Sequence, residues 1–297
     1  MTPYQKKILL VVATALAGGG IPVFSKLLLR EIGPTEFMTL RFFGAWLLFL
    51  PFVIKALPRK ISDWLKISLV VMPAAINMIL FARGLFFTTA TMAALIYSFS
   101  PIAAAIMVYF IGQEKLNWRK IIGILIGFIG MLILIIAPLN YQSLADFVGT
   151  AKGNGLMLLG MMLMTIFTVA SKPLQQKFSP TVITSILFLN CFIVNAIAGG
   201  YTIFNPSLLL KLSTTAWLSL GYLIFINSII FFWLYQITLK QTTAVNVSMT
   251  SYITPIITFV WAAILLGERL NSVLVIAGAL TLTGAYLTTT AKNHGTK

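Results

Sequence analysis

The segment TTATMAALIYSFSPIAAAIMVYFIGQEKLNWRKIIGILIGFIG (residues 88–130) returns 154 residues later as TTAVNVSMTSYITPIITFVWAAILLGERLNSVLVIAGALTLTG (residues 242–284). Both copies contain an initial Thr-Thr-Ala, a Pro-Ile pair, a Glu followed one residue later by Leu-Asn, and a final glycine. A shift of 146 residues aligns further identities, at Val23/Val169, Ser25/Ser171, Lys26/Lys172, Leu28/Leu174, Pro34/Pro180, Thr35/Thr181 and Phe42/Phe188. The chain is therefore predicted to be an internal duplication, with one copy in residues 1–140 and the other in residues 151–292.

The composition is that of a membrane protein. Hydrophobic residues make up 59% of the chain and charged residues 9%, and the mean hydropathy is +0.97. A soluble domain carries roughly 25% charged residues. Runs such as residues 121–137 are continuously apolar rather than alternating, which is the pattern of helices and not of a transmembrane β-barrel. We therefore predict an all-α integral membrane protein.

The apolar segments predict ten membrane crossings. A helix needs about 20 residues to cross the hydrocarbon core, and segments of about this length lie at residues 8–28, 35–54, 65–82, 88–111, 119–138, 154–171, 181–200, 215–236, 244–266 and 273–290. Five crossings in the first copy place the second copy in the opposite orientation. The predicted fold is therefore ten transmembrane helices in two inverted five-helix repeats around a central cavity, an arrangement typical of alternating-access carriers.

The basic residues predict the orientation. On alternate loops, one side carries 14 Lys and Arg residues, the two termini included, and the other side carries 5. Basic loops remain in the cytoplasm, so both termini are expected there, in a multi-pass protein of the cell (inner or plasma) membrane. The net charge of +15 is explained in the same way, and no nucleic-acid partner is expected. The apolar run after Met1–Lys7 lacks a small-residue cleavage site and is interpreted as a retained first helix rather than a signal peptide.

The paired segments, together with Ser25-Lys26 and Arg41-Phe42, resemble the drug/metabolite transporter superfamily, in its ten-helix EamA-like branch. The resemblance covers nearly the whole chain. It implies a carrier of small metabolites or amino acids, often an exporter, with two inverted halves around a central cavity. It implies no particular substrate, because the branch is diverse.

Arg41 is a charged residue within an apolar helix, and it appears in one copy only, because it aligns with Leu187. A charge at membrane depth costs at least about 2.5–3.5 kcal/mol on insertion scales, so it usually has a task or a partner. One interpretation is a substrate-binding group for anions. The other is an arginine that reaches the outer headgroups or binds the carbonyls of a neighbouring helix.

Polar residues at mid-depth are candidates to line the substrate cavity. With Arg41 they form the predicted set, which comprises Asn77, Tyr97, Ser98, Ser100, Asn227, Asn246, Ser248, Ser251 and Tyr252. Pro101 and Pro255 each remove a backbone hydrogen bond and are predicted hinges. The alternative for the polar set is hydrogen bonding between helices, which accounts for many membrane Ser, Thr and Asn residues.

Two Lys–Glu pairs are candidates for gates. Lys26 and Glu268 are predicted on the outer side, and Lys172 and Glu114 on the inner side. An ion pair that forms only when its side is closed would favour one conformation. The alternative is four ordinary headgroup-level charges without mutual contact.

The remaining features narrow the function. The acids are all in loops or near helix ends, at Glu31, Glu36, Asp63, Glu114, Asp146 and Glu268. We therefore expect a facilitator or exchanger rather than a proton-coupled carrier, with a small-molecule substrate. One histidine and no Asp-rich motif argue against a membrane enzyme, and no cofactor or metal is expected. The glycine-spaced fifth and tenth helices are expected to pack together, and the chain is expected to be a monomer or homodimer in the bilayer. A lipid-scrambling or structural membrane protein is the alternative function.

Overall fold

The computed structural model describes residues 3–112, 117–140, 148–248 and 250–290. The regular structure of these residues is helical throughout. Seven of its helical stretches are long and apolar enough to cross a membrane, at Leu9–Leu28, Ile61–Phe86, Ala90–Phe110, Ala151–Gln176, Pro180–Ile197, Thr214–Gln241 and Ser272–Thr290. The prediction of an all-α membrane protein is thus confirmed, whereas ten crossings in an inverted arrangement stay a prediction.

The helices of the first half are α1 to α7, at Pro3–Gly18, Ile21–Leu28, Pro34–Phe49, Ile61–Phe86, Ala90–Tyr97, Ser100–Phe110 and Trp118–Asn140. Short 3₁₀ turns at Leu50–Phe52 and Ile54–Ala56 follow α3. Local sequence sets several of these boundaries. Pro34 begins α3, where its fixed φ suits a first helical turn. The hydroxyl of Thr89 caps α5 by accepting the amide of Met92 at 3.1 Å.

The helices of the second half are α8 to α15, at Ala151–Ser171, Pro180–Ile197, Pro206–Leu209, Thr214–Tyr222, Phe231–Gln241, Ala244–Ser248, Thr250–Leu266 and Ser272–Thr290. A π-helix at Leu223–Ile230 joins α11 to α12. Short 3₁₀ turns at Pro173–Gln176 and Gly200–Phe204 follow α8 and α9. Helix is present within each of the ten predicted apolar segments.

The last helix of the first half, α7, packs against the last helix of the second half, α15. Glycine is required at this seam. A Cβ added to Gly130 would lie 2.7 Å from the carbonyl oxygen of Ala277, and one added to Gly284 would lie 2.5 Å from that of Gly123. Small residues of this kind let helix backbones approach closely in membranes. The predicted packing of the fifth and tenth helices is observed within the chain.

The first crossing is broken between α1 and α2, at Gly19 and Gly20. Side chains of the second half bind the carbonyls that the break exposes. Thr258 donates to the carbonyl of Gly19 at 2.6 Å, and the Asn227 amide donates to that of Ala17. The break therefore joins the two halves instead of leaving buried carbonyls unpaired.

The two prolines predicted as hinges lie in different local structure. Pro101 is the second residue of α6 and follows the break between α5 and α6. Pro255 is the sixth residue of α14 and lies within that helix. Motion at either proline stays a prediction.

Candidate functional site

A cavity of about 120 Å³ lies between the two halves. Helices α1 to α6 contribute to its wall from the first half, and α8, α12 and α14 contribute from the second. Its polar lining consists of Arg41, Asn77, Tyr97, Ser100, Thr165, Thr168, Tyr235, Thr250, Ser251 and Thr254. The rest of the wall is aliphatic and aromatic. The cavity is thus a mostly apolar chamber with hydroxyl groups and one charge.

Half of the predicted cavity residues line this chamber, namely Arg41, Asn77, Tyr97, Ser100 and Ser251. Two of them form a direct contact between the halves, since the hydroxyl oxygens of Ser100 and Ser251 lie 2.9 Å apart. The Tyr97 hydroxyl donates to the Asn77 side-chain carbonyl at 2.5 Å. These contacts fix the polar groups of the wall before any substrate enters.

Three predicted cavity residues are not among those that line this chamber, and a role for them in substrate binding stays a prediction. Ser98 donates to the carbonyl of Leu95 at 2.6 Å and supports the break after α5. Asn227 binds the broken turn of the first crossing. The Tyr252 hydroxyl pairs with Thr289 on α15 at 2.8 Å. Asn227 and Tyr252 thus bond between helices, the alternative role for membrane polar groups, whereas the Ser98 bond lies within its own turn. The side chains of Asn246 and Ser248 lie outside the described residues.

Sequence reasoning missed half of the polar lining, namely Thr165, Thr168, Tyr235, Thr250 and Thr254. The duplication points to one of these, because Thr254 aligns with Ser100 at the 154-residue shift. The threonines of α8 have no such signal. They align with Gly19 and Pro22 at the 146-residue shift, so the two copies present different chemistry at equivalent positions.

Arg41 is the charged residue of the described lining. Its side chain is 1% exposed, so it does not reach the outer headgroups. Its Nε donates to the Ser228 hydroxyl at 2.8 Å, which the π-helix holds. Within the part of the chain that the structure describes, this is the only hydrogen bond of the guanidinium, and no carboxylate lies within ion-pair distance. Arg41 thus belongs to the cavity wall, lies 5.0 Å from the centroid of the Phe42 ring and has no counter-ion among the described residues.

The side chains of Lys26 and Glu268 both bind the turn between α4 and α5. The Lys26 ammonium donates to the carbonyls of Leu85, at 3.2 Å, and Thr88. The Glu268 carboxylate accepts the amides of Ala90 at 2.7 Å and Thr91 at 2.9 Å. The predicted ion pair is therefore replaced by an indirect arrangement, in which both side chains bind opposite ends of one turn. The carboxylate also neutralises the positive end of α5.

Lys172 repeats this arrangement in the other half. Its ammonium donates to the carbonyls of Leu239, at 2.6 Å, and Thr242. These two residues align with Leu85 and Thr88 at the 154-residue shift. Its predicted partner, Glu114, lies outside the described residues. The lysine contacts thus repeat between the copies although the sequence predicted them only as gate charges.

Two small apolar clusters accompany these lysines. Val23, Ala90 and Ala262 form the Lys26-end cluster, with Leu266 packed against it. The Lys172-end cluster consists of Ala104, Ala105, Val108 and Val245, with Val169 packed against it. The clusters correspond through the duplication, since Val23 aligns with Val169 and Val108 aligns with Ala262.

Comparison with known proteins agrees with this architecture. The family model of the EamA-like transporter family matches residues 5–136 and again residues 151–290. An uncharacterized transporter of Archaeoglobus fulgidus is 27% identical over 98% of this chain and 99% of its own. A probable amino-acid metabolite efflux pump of Salmonella typhimurium is 24% identical over 60% of each chain. A solved crystal structure, 17% identical, matches 95% of this chain and 97% of its own with a TM-score of 0.67, which shows the shared fold.

The chain belongs to the EamA-like transporter family, within the drug/metabolite transporter superfamily. It is a multi-pass membrane transporter of small molecules. The resemblance inferred from the duplicated motifs is confirmed.

Proposed function

We propose that the chain is a secondary transporter that moves small metabolites or amino acids by alternating access between two inverted five-helix repeats, residues 1–140 and 151–292. One observation carries the proposal. The cavity is lined from both halves, and matched apolar clusters lie at the Lys26 and Lys172 turns. A site between two equivalent barriers suits a carrier in which one barrier opens while the other stays closed.

The turn contacts join the two halves at the Lys26 end and brace a turn within one half at the other end. At the Lys26 end, Glu268 of the second half binds the start of α5 in the first. At the other end, Lys172 binds the end of α12 within its own half. Charged hydrogen bonds of this kind contribute on the order of 1.5–3 kcal/mol each. Loss of the charged hydrogen bonds at one end would shift the equilibrium between the closed and open forms of that end by roughly tenfold or more.

The cavity supports movement without proton coupling. Its described lining contains hydroxyl groups, an amide and Arg41, and no carboxylate. Proton-driven carriers commonly hold an acidic relay at membrane depth. We therefore propose a facilitator or exchanger. Export is the proposed direction, by analogy with the Salmonella relative, whose name specifies an efflux pump.

The proposed location is the cell membrane, with both termini in the cytoplasm. The 14 basic residues assigned to that side support it. The Lys26 end is then the outer end of the cavity and the Lys172 end is the inner end. The protein is proposed to work as a monomer or homodimer, since the cavity is formed within one chain.

Counterflow in proteoliposomes tests the proposal. Vesicles are loaded with unlabelled amino acids, nucleosides or organic anions, and transient accumulation of the same labelled compound is measured. We expect accumulation for at least one class, without a pH gradient. Accumulation only under an imposed pH gradient would contradict a facilitator or exchanger. Transfer of fluorescent lipids between leaflets, with no counterflow in any class, would favour the lipid-scrambling alternative.

A further inference from the structure

We propose that the cavity selects a small organic monoanion, with its carboxylate bound to Arg41 and its apolar body packed among the aromatic side chains. This inference rests on the proposed transport function and adds the substrate class to it.

The cavity wall contains a buried positive charge. Arg41 is nearly completely buried and has no carboxylate partner among the described residues. A buried charge without a counter-ion is costly, and a ligand of opposite sign removes that cost. Leu187 occupies the equivalent position in the other copy, which therefore forms its helix without a charge there.

One hydrogen bond orients the guanidinium group of Arg41. Its Nε is bound to Ser228, which fixes the orientation of the planar group. The two terminal nitrogens have no hydrogen bond within the described part of the structure. Arginine presents these donors in a fixed fork that fits the two oxygens of a carboxylate. The bound serine thus prepares the arginine for a planar anion.

The apolar part of the cavity wall suits the apolar body of a small ligand. Beside Arg41 and Asn77, the wall includes Met78, Phe81, Phe231 and Phe232. A cavity of about 120 Å³ has room for on the order of ten water molecules. A small organic acid with an aliphatic or aromatic body fills such a space, whereas a hydrated inorganic anion would leave the aromatic wall without contact.

The described lining of the cavity contains no negatively charged side chain. An amino acid would bring an ammonium group as well as a carboxylate. The described lining offers it only neutral oxygens, such as those of Ser100 and Ser251. Neutral acceptors compensate the desolvation of an ammonium less well than a carboxylate does. We therefore expect a monoanion to bind more tightly than a zwitterion of the same shape, and a cation to bind most weakly.

Three ligands that share one carbon skeleton but differ in charge test this order of affinities. Binding of 2-hydroxy-4-methylvalerate, leucine and leucinol to the full-length protein is measured by isothermal titration in detergent, with sulfate as the buffer anion. We expect the hydroxy acid to bind at least about tenfold more tightly than leucine, and leucinol to show no binding. Arg41→Gln should weaken the hydroxy acid about tenfold to a hundredfold. Arg41→Lys should restore part of that loss.

The outcomes separate the two proposals. If leucine or leucinol binds more tightly than the hydroxy acid, or if Arg41→Gln leaves the order unchanged, the monoanion inference is overturned while transport stands. If chloride displaces the hydroxy acid at equal concentration, the site is an inorganic-anion site and the inference is again overturned. If no compound binds and counterflow is absent for every class, both proposals are overturned. The wild-type series decides the order even if Arg41→Gln does not fold.

Discussion

Glu268 accepts the backbone amide of Ala90 at 2.7 Å and so joins the loop before the last helix to the start of α5, far earlier in the chain. Ala90 itself belongs to the Lys26-end cluster. A carboxylate of the second half therefore holds an element of the first half beside the Lys26-end cluster. This relationship, rather than an ion pair, is the basis of the first prediction.

Glu268→Gln is expected to loosen the Lys26 end. The substitution removes the charge and one of the two amide acceptors, so α5 loses a charged cap. We expect Val23→Cys, in a Cys191→Ala background, to react with a membrane-impermeant thiol reagent about tenfold faster in the Glu268→Gln protein.

Glu36→Gln is the matched control for that experiment. Glu36 accepts hydrogen bonds from Thr202 at 3.2 Å and from Thr35 at 3.1 Å, rather than from the amides that Glu268 binds. Its substitution should leave the labelling rate unchanged. Equal rates in all three proteins would show that Glu268 does not close this end.

Lys26→Met and Lys172→Met are expected to have opposite effects. Each lysine binds carbonyls at one end only, those of Leu85 and Thr88 or those of Leu239 and Thr242. Lys26→Met should therefore raise thiol labelling at Val23→Cys from outside. Lys172→Met should raise labelling at Val108→Cys from inside. A rise at both cysteines with either variant would indicate general unfolding instead.

Gly130→Val should destabilise the protein by disrupting the α7–α15 seam. Even a Cβ at this position lies 2.7 Å from the carbonyl oxygen of Ala277. Overpacking of this kind typically costs about 1–3 kcal/mol, which should appear as a lower melting temperature in detergent. Gly155→Val is the control, because a Cβ at Gly155 meets nothing within 4 Å. Equal melting temperatures for the two variants would contradict the close packing of these helices.

Glu31 should make a pH-dependent contribution to stability. It accepts the amide and hydroxyl of Ser213 at 2.8 and 2.5 Å, and these bonds lower the pKa of its carboxyl below the usual value. A lowered pKa stabilises the folded state above the ordinary pKa of a glutamate, and this contribution is lost as the pH falls through the lowered value. Glu31→Gln should therefore lower the melting temperature slightly at pH 7, and the difference should vanish in acid. A difference independent of pH would show that the charge plays no part.

The helical framework was predictable because it depends on composition and repetition, which are properties of the sequence itself. The apolar segments and the duplicated motifs predicted helix in the right places and the family to which the chain belongs. The seam of α7 and α15 was predictable for a similar reason, since glycine spacing is a direct sign of close helix approach.

The cavity was only partly predictable, because polarity at mid-depth does not say which way a side chain points. Asn77 and Asn227 looked alike in sequence. Asn77 lines the chamber, but Asn227 binds a carbonyl exposed by the break at Gly19 and Gly20. The glycine run at residues 18–20 marks the break, but the sequence does not show which side chain of the other half binds the carbonyls there. The backbone contacts of Lys26, Lys172 and Glu268 were missed for the same reason, since backbone groups carry no signal in the sequence, and the gate role of these charges stays a prediction.

Cross-linking the two ends tests alternating access most directly. In a Cys191→Ala background, a short thiol cross-linker joins Val23→Cys to Ala262→Cys at one end, or Val108→Cys to Val245→Cys at the other. Either cross-link should abolish counterflow, and each should raise thiol accessibility of a cysteine at the opposite end, with reduction of a cleavable linker restoring transport. Unchanged counterflow with one end fully cross-linked would contradict the central claim that both barriers must open in turn.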